Sequence, residues 1–230
     1  MNNQNLASFL DNANHSATST EDQIRKVCRE VLDYSFNAAF VNSCWVKFAK
    51  GILGEKGKVG TVVSFPLGQD STETKISAAL SAIENGADEV DISTNVGFLK
   101  SGKENEYFEE LKRIVEAVKE KNSQAIIKFI IEAYFLDEDE IRKASQLVMD
   151  SGADFVKTTS GFGPRDAKIE YVRIIKEVVG NKVKIKAAGG ISTADQVRKY
   201  LEVGATRIGT SKAVEIVKGI SLGQSSLSDR

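Results

Sequence analysis

The chain has 230 residues, enough to bury one sizeable core, and its 41% hydrophobic and 27% charged residues place it among ordinary globular proteins. Its net charge is −1 (31 basic against 32 acidic residues, with no long single-sign block), which argues against nucleic acid or a membrane surface as the main partner. Two cysteines, Cys28 and Cys44, and one histidine, His15, make neither a disulfide framework nor a catalytic zinc site. No apolar run approaches a membrane span, and the start Met1-Asn2-Asn3-Gln4-Asn5 lacks the parts of a secretory signal, so cytoplasmic residence is expected.

Strand-like and helix-like segments then alternate from end to end. Residues 7–10 read as a first strand, and Thr20 with Gln23 forms a capping box before Ile24, Val27, Cys28, Val31 and Leu32 at helical spacing. Residues 38–41 give a second strand and 45–52 a brief helix. A third strand over 59–65 stops at Pro66. Asp70 and Glu73 open a helix with Ile76, Ala79, Leu80 and Ile83 on one face, and residues 86–92 run from a helix stop into a fourth strand. A helix over 104–120 leads to the strand Ile126-Ile127-Lys128-Phe129-Ile130-Ile131-Glu132, then a helix from Asp137 to Gly152 whose Glu138-Asp139-Glu140 is an acidic first turn. Residues 154–162 form a sixth strand that delivers Lys157, hydroxyls and a glycine to its end. A helix over 168–179 precedes the seventh strand, 182–190, which carries Lys186. Thr193 to Gln196 caps the next helix, residues 204–209 are an eighth strand, and Thr210-Ser211 starts a last helix through Val217.

Gly-Ala-Asp or Gly-Ala-Thr recurs at residues 86, 152 and 204, each time as a helix-ending glycine before a strand. Eight strands alternating with helices in this length fit a single-domain α/β fold, a (β/α)8 TIM barrel over residues 1–220, with 221–230 as a loose Ser-rich tail. A doubly wound open sheet is the runner-up, but its glycine-rich first turn is missing.

Strand parity sorts the side chains. The outward face packs on helices and wants apolar residues, so Val90 and Ile92 turn Asp91 inward, and Ile127, Phe129 and Ile131 turn Lys128 and Glu132 inward. The same rule turns Lys157 inward beside Phe155, and Lys184 and Lys186 inward between Val183 and Ile185. One rule thus gathers Asp91, Lys128, Lys157 and Lys186 in one interior. A desolvated amine beside a second cation is neutral enough to attack a carbonyl, and a carboxylate or lysine relays protons, which is the requirement of imine chemistry. A structural ion network is the competing interpretation. Three lysines at matched depth with a carboxylate favour a site. Gly189-Gly190 after strand seven and Gly209-Thr210-Ser211 after strand eight stand where barrels often hold a phosphate. His15 reads as a surface or loop histidine, and Cys44 as a small packing residue.

These residues resemble the deoxyribose-phosphate aldolase family of class I, Schiff-base aldolases. The resemblance covers nearly the whole chain and is carried by Phe65-Pro66-Leu67-Gly68 with Thr72, Glu73 and Lys75, by Gly86 to Asp91, by Gly152 to Phe162, by Lys186-Ala187-Ala188-Gly189-Gly190-Ile191 and by Arg207-Ile208-Gly209-Thr210-Ser211. It implies Lys157 as the Schiff-base lysine, Lys186 as the neighbouring cation and Asp91 as a proton-relay carboxylate. It also implies substrate contacts from Lys128, from Asp11 at the mouth, and from Thr158, Gly161 and the two glycine turns. The implied reaction is reversible cleavage of 2-deoxy-D-ribose 5-phosphate to acetaldehyde and D-glyceraldehyde 3-phosphate, with no cofactor. Because such barrels often pair, a homo-oligomer, dimer or tetramer, is expected.

The chain also departs from the family. Asn12-Ala13-Asn14-His15 stands where His-Thr-Leu-Leu is usual, and a proline common in the second loop is replaced around Cys44. Ala133 replaces a threonine, Thr159-Ser160 is swapped, and no tyrosine follows Tyr200. These changes touch the rim and the sugar end more than the lysine pair. A Schiff-base aldolase for another phosphorylated aldehyde, or a non-catalytic sugar-phosphate-binding barrel, are the alternatives.

Overall fold

Eight parallel strands, each hydrogen-bonded to the next and the last to the first, close into a barrel in the structure, a computed structural model that describes residues 3–164 and 166–219. They are β1 (Leu10–Asn14), β2 (Ala38–Val41), β3 (Lys58–Val63), β4 (Glu89–Ser93), β5 (Ile126–Ile130), β6 (Phe155–Lys157), β7 (Lys184–Ala188) and β8 (Arg207–Thr210). The helices outside them are α1 (Glu21–Tyr34), α2 (Val46–Leu53), α3 (Thr72–Glu84), α4 (Val96–Lys100), α5 (Glu104–Lys121), α6 (Glu138–Asp150), α7 (Ile169–Val179), α8 (Ala194–Glu202) and α9 (Ala213–Lys218). The fold is the expected single-domain (β/α)8 barrel. The expected boundary at 220 and tail at 221–230 lie outside the described residues.

Local chemistry sets the helix starts. Thr20, Asp137 and Thr193 each accept a hydrogen bond from the backbone N–H three residues on, while the Gln or Glu at that position bonds back, so α1, α6 and α8 open on complete capping boxes. Ser71, not Asp70, caps α3 by accepting from Thr74 N. The outward strand residues, such as Val90, Ile92, Ile127, Phe129, Val156 and Ile185, are fully or almost fully buried against these helices.

The first strand is displaced from its expected place. Residues Asn3–Phe9 form a 3-10 helix and β1 starts at Leu10. Leu6 and Ala7 are buried, and this 3-10 helix packs against α8 and α9, while Leu10 pairs with Ile208 of β8. Three short elements were not foreseen, the five-residue α4, the 3-10 turn Ala133–Phe135 after β5 and the 3-10 turn Ser43–Trp45 before α2. Cys44, expected to pack, is exposed in that turn.

Register makes the inner face one continuous ladder. Asp91 pairs with Lys128, Lys128 with Phe155, Phe155 with Lys184, and Lys157 with Lys186, which pairs in turn with Arg207. Most barrels fill this space with branched apolar residues. Here charged side chains fill it, and two glycines make room. A Cβ at Gly60 would stand 2.2 Å from the Phe40 ring, and one at Gly209 would stand 3.0 Å from Lys186 Cε.

Candidate active site

The barrel interior holds four cations and three carboxylates, all but Arg207 almost wholly buried. Asp91 is the hub. Its Oδ1 accepts from Lys128 Nζ (2.9 Å), and its Oδ2 accepts from both Lys157 Nζ (2.9 Å) and Lys186 Nζ (2.7 Å). Lys128 also donates to Glu89 at 2.5 Å, and Lys186 stands 2.6 Å from Asp11 Oδ2. Arg207 reaches Asp11 at 3.1 Å and Glu89 at 3.4 Å, and Asn37 Nδ2 donates to the same two carboxylates. The Phe40 ring lies under the cluster, 3.6 Å from Lys186 Nζ and 4.8 Å from Lys128 Nζ, where its face attracts cations.

The pairing is uneven. Among the described residues, Lys128, Lys186 and Arg207 each touch two carboxylates, whereas Lys157 touches only Asp91, through an oxygen it shares with Lys186. With four formal positive charges against three negative ones, the cheapest relief is to take the proton from Lys157. Burial, opposed by Asp91 and reinforced by Lys186, lowers its pKa to about 8. Burial also acts on Lys128, yet Asp91 and Glu89 outweigh it and raise its pKa, so Lys128 stays an ammonium. Burial would raise Asp91, but Lys128, Lys157 and Lys186 hold it well below the usual carboxylate range. Asp11, raised chiefly by burial, keeps Lys186 as its main counterion.

Above the cluster opens a cavity of about 830 Å3, roomy for a pentose phosphate, with Lys157 and Lys186 in its floor. One wall is Ser160, Gly161 and Phe162 from the loop after β6. The opposite side is Gly189-Gly190 after β7 and Gly209-Thr210-Ser211 at the end of β8, with Lys212 beside them. Thr210 Oγ1 ties these two loops by donating to Ile191 O (2.7 Å). Gly189 sits at φ +106°, and a Cβ there would strike Thr159 Oγ1 at 2.7 Å, so the turn's close approach to the β6 loop requires glycine.

Three expected substrate contacts lie elsewhere. Asp11, expected at the mouth, is fully buried beneath Lys186 because it is only the second residue of β1. Lys128 does not line the cavity; its ammonium is enclosed by Glu89, Asp91 and Phe40. Thr158 does not line it either, since its hydroxyl accepts from Ala188 N (3.2 Å) and stitches β6 to β7.

Arg207, expected with the phosphate loop, joins the cluster instead; Glu89 and Asn37 complete it and were missed, although Glu89 shares the parity of Asp91 two residues earlier. Glu132 was expected in the same interior, but a left-handed residue at φ 51° ends β5 there. Its Oε1 instead accepts from Ser160 N (3.0 Å) and holds the loop that follows Lys157. His15, expected as a surface or loop histidine, stands in the loop after β1, where it lines the cavity and packs on Phe65, ring centroids 5.4 Å apart.

The family model of the DeoC/LacD aldolases matches residues 7–229. The chain belongs to this aldolase family. Its relatives include deoxyribose-phosphate aldolases from Carboxydothermus hydrogenoformans, 43% identical over 220 residues (95% of this chain, 96% of that protein), and from Thermococcus kodakarensis, 43% identical over 223 residues (95% and 98%). Among solved structures, the tetrameric deoxyribose phosphate aldolase of Aeropyrum pernix superposes with a TM-score of 0.87 at 28% identity, covering 94% of this chain and 91% of that one. The chain is therefore an enzyme of the lyase class. No helix among the described residues is long and apolar enough to cross a membrane.

Proposed function

We propose that this aldolase cleaves 2-deoxy-D-ribose 5-phosphate reversibly to acetaldehyde and D-glyceraldehyde 3-phosphate through a Schiff base on Lys157. The observation that supports this most is the single, shared carboxylate contact of Lys157 among cations that each have two. In the synthetic direction the neutral Nζ attacks the acetaldehyde carbonyl, and the carbinolamine loses water to give an iminium. Loss of a proton from the adjacent carbon gives an enamine, which attacks the aldehyde carbon of the second substrate. Water then releases the product and restores the amine. In this reading Asp91, hydrogen-bonded to both Lys157 and Lys186, passes protons between them, and Lys186 polarises the departing oxygen. The phosphate would lie along Gly189-Gly190 and Gly209-Thr210-Ser211, opposite the β6 loop.

Borohydride added with acetaldehyde is expected to fix a covalent adduct on Lys157, and Lys157→Leu to abolish it. An adduct on another lysine, or none in the native enzyme, would sink the assignment. A homo-oligomer belongs to the same reading, supported by the tetramer described for the Aeropyrum pernix enzyme. Sedimentation velocity should return a dimer or tetramer, and a monomer would count against it.

A further inference from the structure

His15 is the one histidine of the chain, and it stands in the cavity wall with Lys157 and Lys186 in the floor. Its ring is wedged by aromatic neighbours, Phe65 at 5.4 Å and Phe40 at 6.5 Å, and Phe65 in turn meets Phe162 edge-on at 5.1 Å. Asn42 stands beside the ring. Its Nδ2 donates to the Ser16 carbonyl (3.3 Å). Among the described residues the buried Nδ1 of His15 has no hydrogen-bond partner. Burial first, then the ammonium charges of Lys157 and Lys186, lower the imidazole pKa to about 3, so the ring is neutral wherever the enzyme folds and works.

We infer that His15 carries its ring proton on Nε2 and is a specificity residue whose Nδ1 accepts a hydrogen bond from a hydroxyl of the second aldehyde, the one attacked by the enamine on Lys157, and so selects hydroxylated over plain aldehydes. The inference rests on the imine reading of Lys157. An unpartnered buried acceptor is a penalty that only a donor can remove, and an aldehyde without a hydroxyl leaves it in place. A neutral acceptor suits this position, since a carboxylate there would restore the second counterion that Lys157 lacks and keep it protonated.

The test uses the full-length enzyme with acetaldehyde as donor and two unphosphorylated acceptors, D-glyceraldehyde and propanal. The native enzyme should prefer D-glyceraldehyde in kcat/KM. In His15→Phe that preference should fall at least tenfold. His15→Asn, whose carboxamide oxygen overlays Nδ1, should recover most of it, a split that general loss of structure does not produce. An unaltered preference in His15→Phe overturns the inference. A second readout needs no variant, because a single histidine gives an unambiguous imidazole 15N spectrum. The Nε2–H tautomer is expected, with the Nδ1 resonance moved by D-glyceraldehyde and not by propanal. An Nδ1–H tautomer, or equal responses to both aldehydes, also overturns it. Failure of borohydride trapping on native Lys157 is a separate result, and it removes the imine reading together with this inference.

Discussion

With a pKa of about 8, Lys157 is neutral in roughly a tenth of molecules at pH 7, against about three in ten thousand for an exposed lysine. Burial does most of this and Lys186 adds to it, while Asp91 works the other way. The rate of imine formation should therefore climb through about pH 8 and level off above it. Replacing Lys186 by Met removes the like charge and leaves the shared Asp91 oxygen to Lys157 alone. Both changes favour the ammonium, so the alkaline limb should move up by roughly one unit. A limb that stays in place, followed by acetaldehyde trapping against pH, would show that Lys186 does not tune the nucleophile.

At the scale of elements, β4 to β7 could be read from parity because their outward residues are apolar without interruption. That regularity exposed Asp91, Lys128, Lys157 and Lys186. It failed at β1, where Asn12 and Asn14 on the outward face are as polar as inward Asp11. Asn12 is outward because its amide donates to Glu30 on α1 (2.8 Å), a contact no alternation announces. The Phe40–Gly60 fit depends on register between strands, and His15 on the meeting of separate loops; neither leaves a trace in local sequence. Another such pair joins α3 to α5, where Lys75 Nζ donates to Glu110 at 2.6 Å with both side chains out of water. Lys75→Met leaves the buried Glu110 carboxylate without its counterion and should cost ~3–5 kcal/mol in urea unfolding. The double variant Lys75→Met with Glu110→Leu should regain most of that loss. Additive losses would mean that the two side chains act independently and do not neutralise each other.

For the whole molecule, the charged interior is a burden on stability that the helical shell offsets. The folded pKa of Lys157 lies below its ordinary value of 10.5, so between about pH 8 and 10.5 the unfolded chain binds more protons than the folded one. That group's contribution to stability therefore rises with pH across this window and is unfavourable below it, by on the order of 3 kcal/mol. Lys157→Met should accordingly be more stable than the native enzyme at pH 7, with the difference shrinking towards pH 10. Urea titrations at the two pH values read this directly. Equal stability at pH 7 would mean that the amine is not strained in the fold.

The clasp from Glu132 to Ser160 N has a consequence for altering this enzyme. It makes the chain after β5 and the chain after β6 behave as one rigid jaw, so lengthening either is expected to drag the nucleophile out of line. The rim after β1 carries no such tether to the Lys157 loop among the described residues. Remodelling for bulkier aldehydes therefore has its latitude there, beside the imidazole.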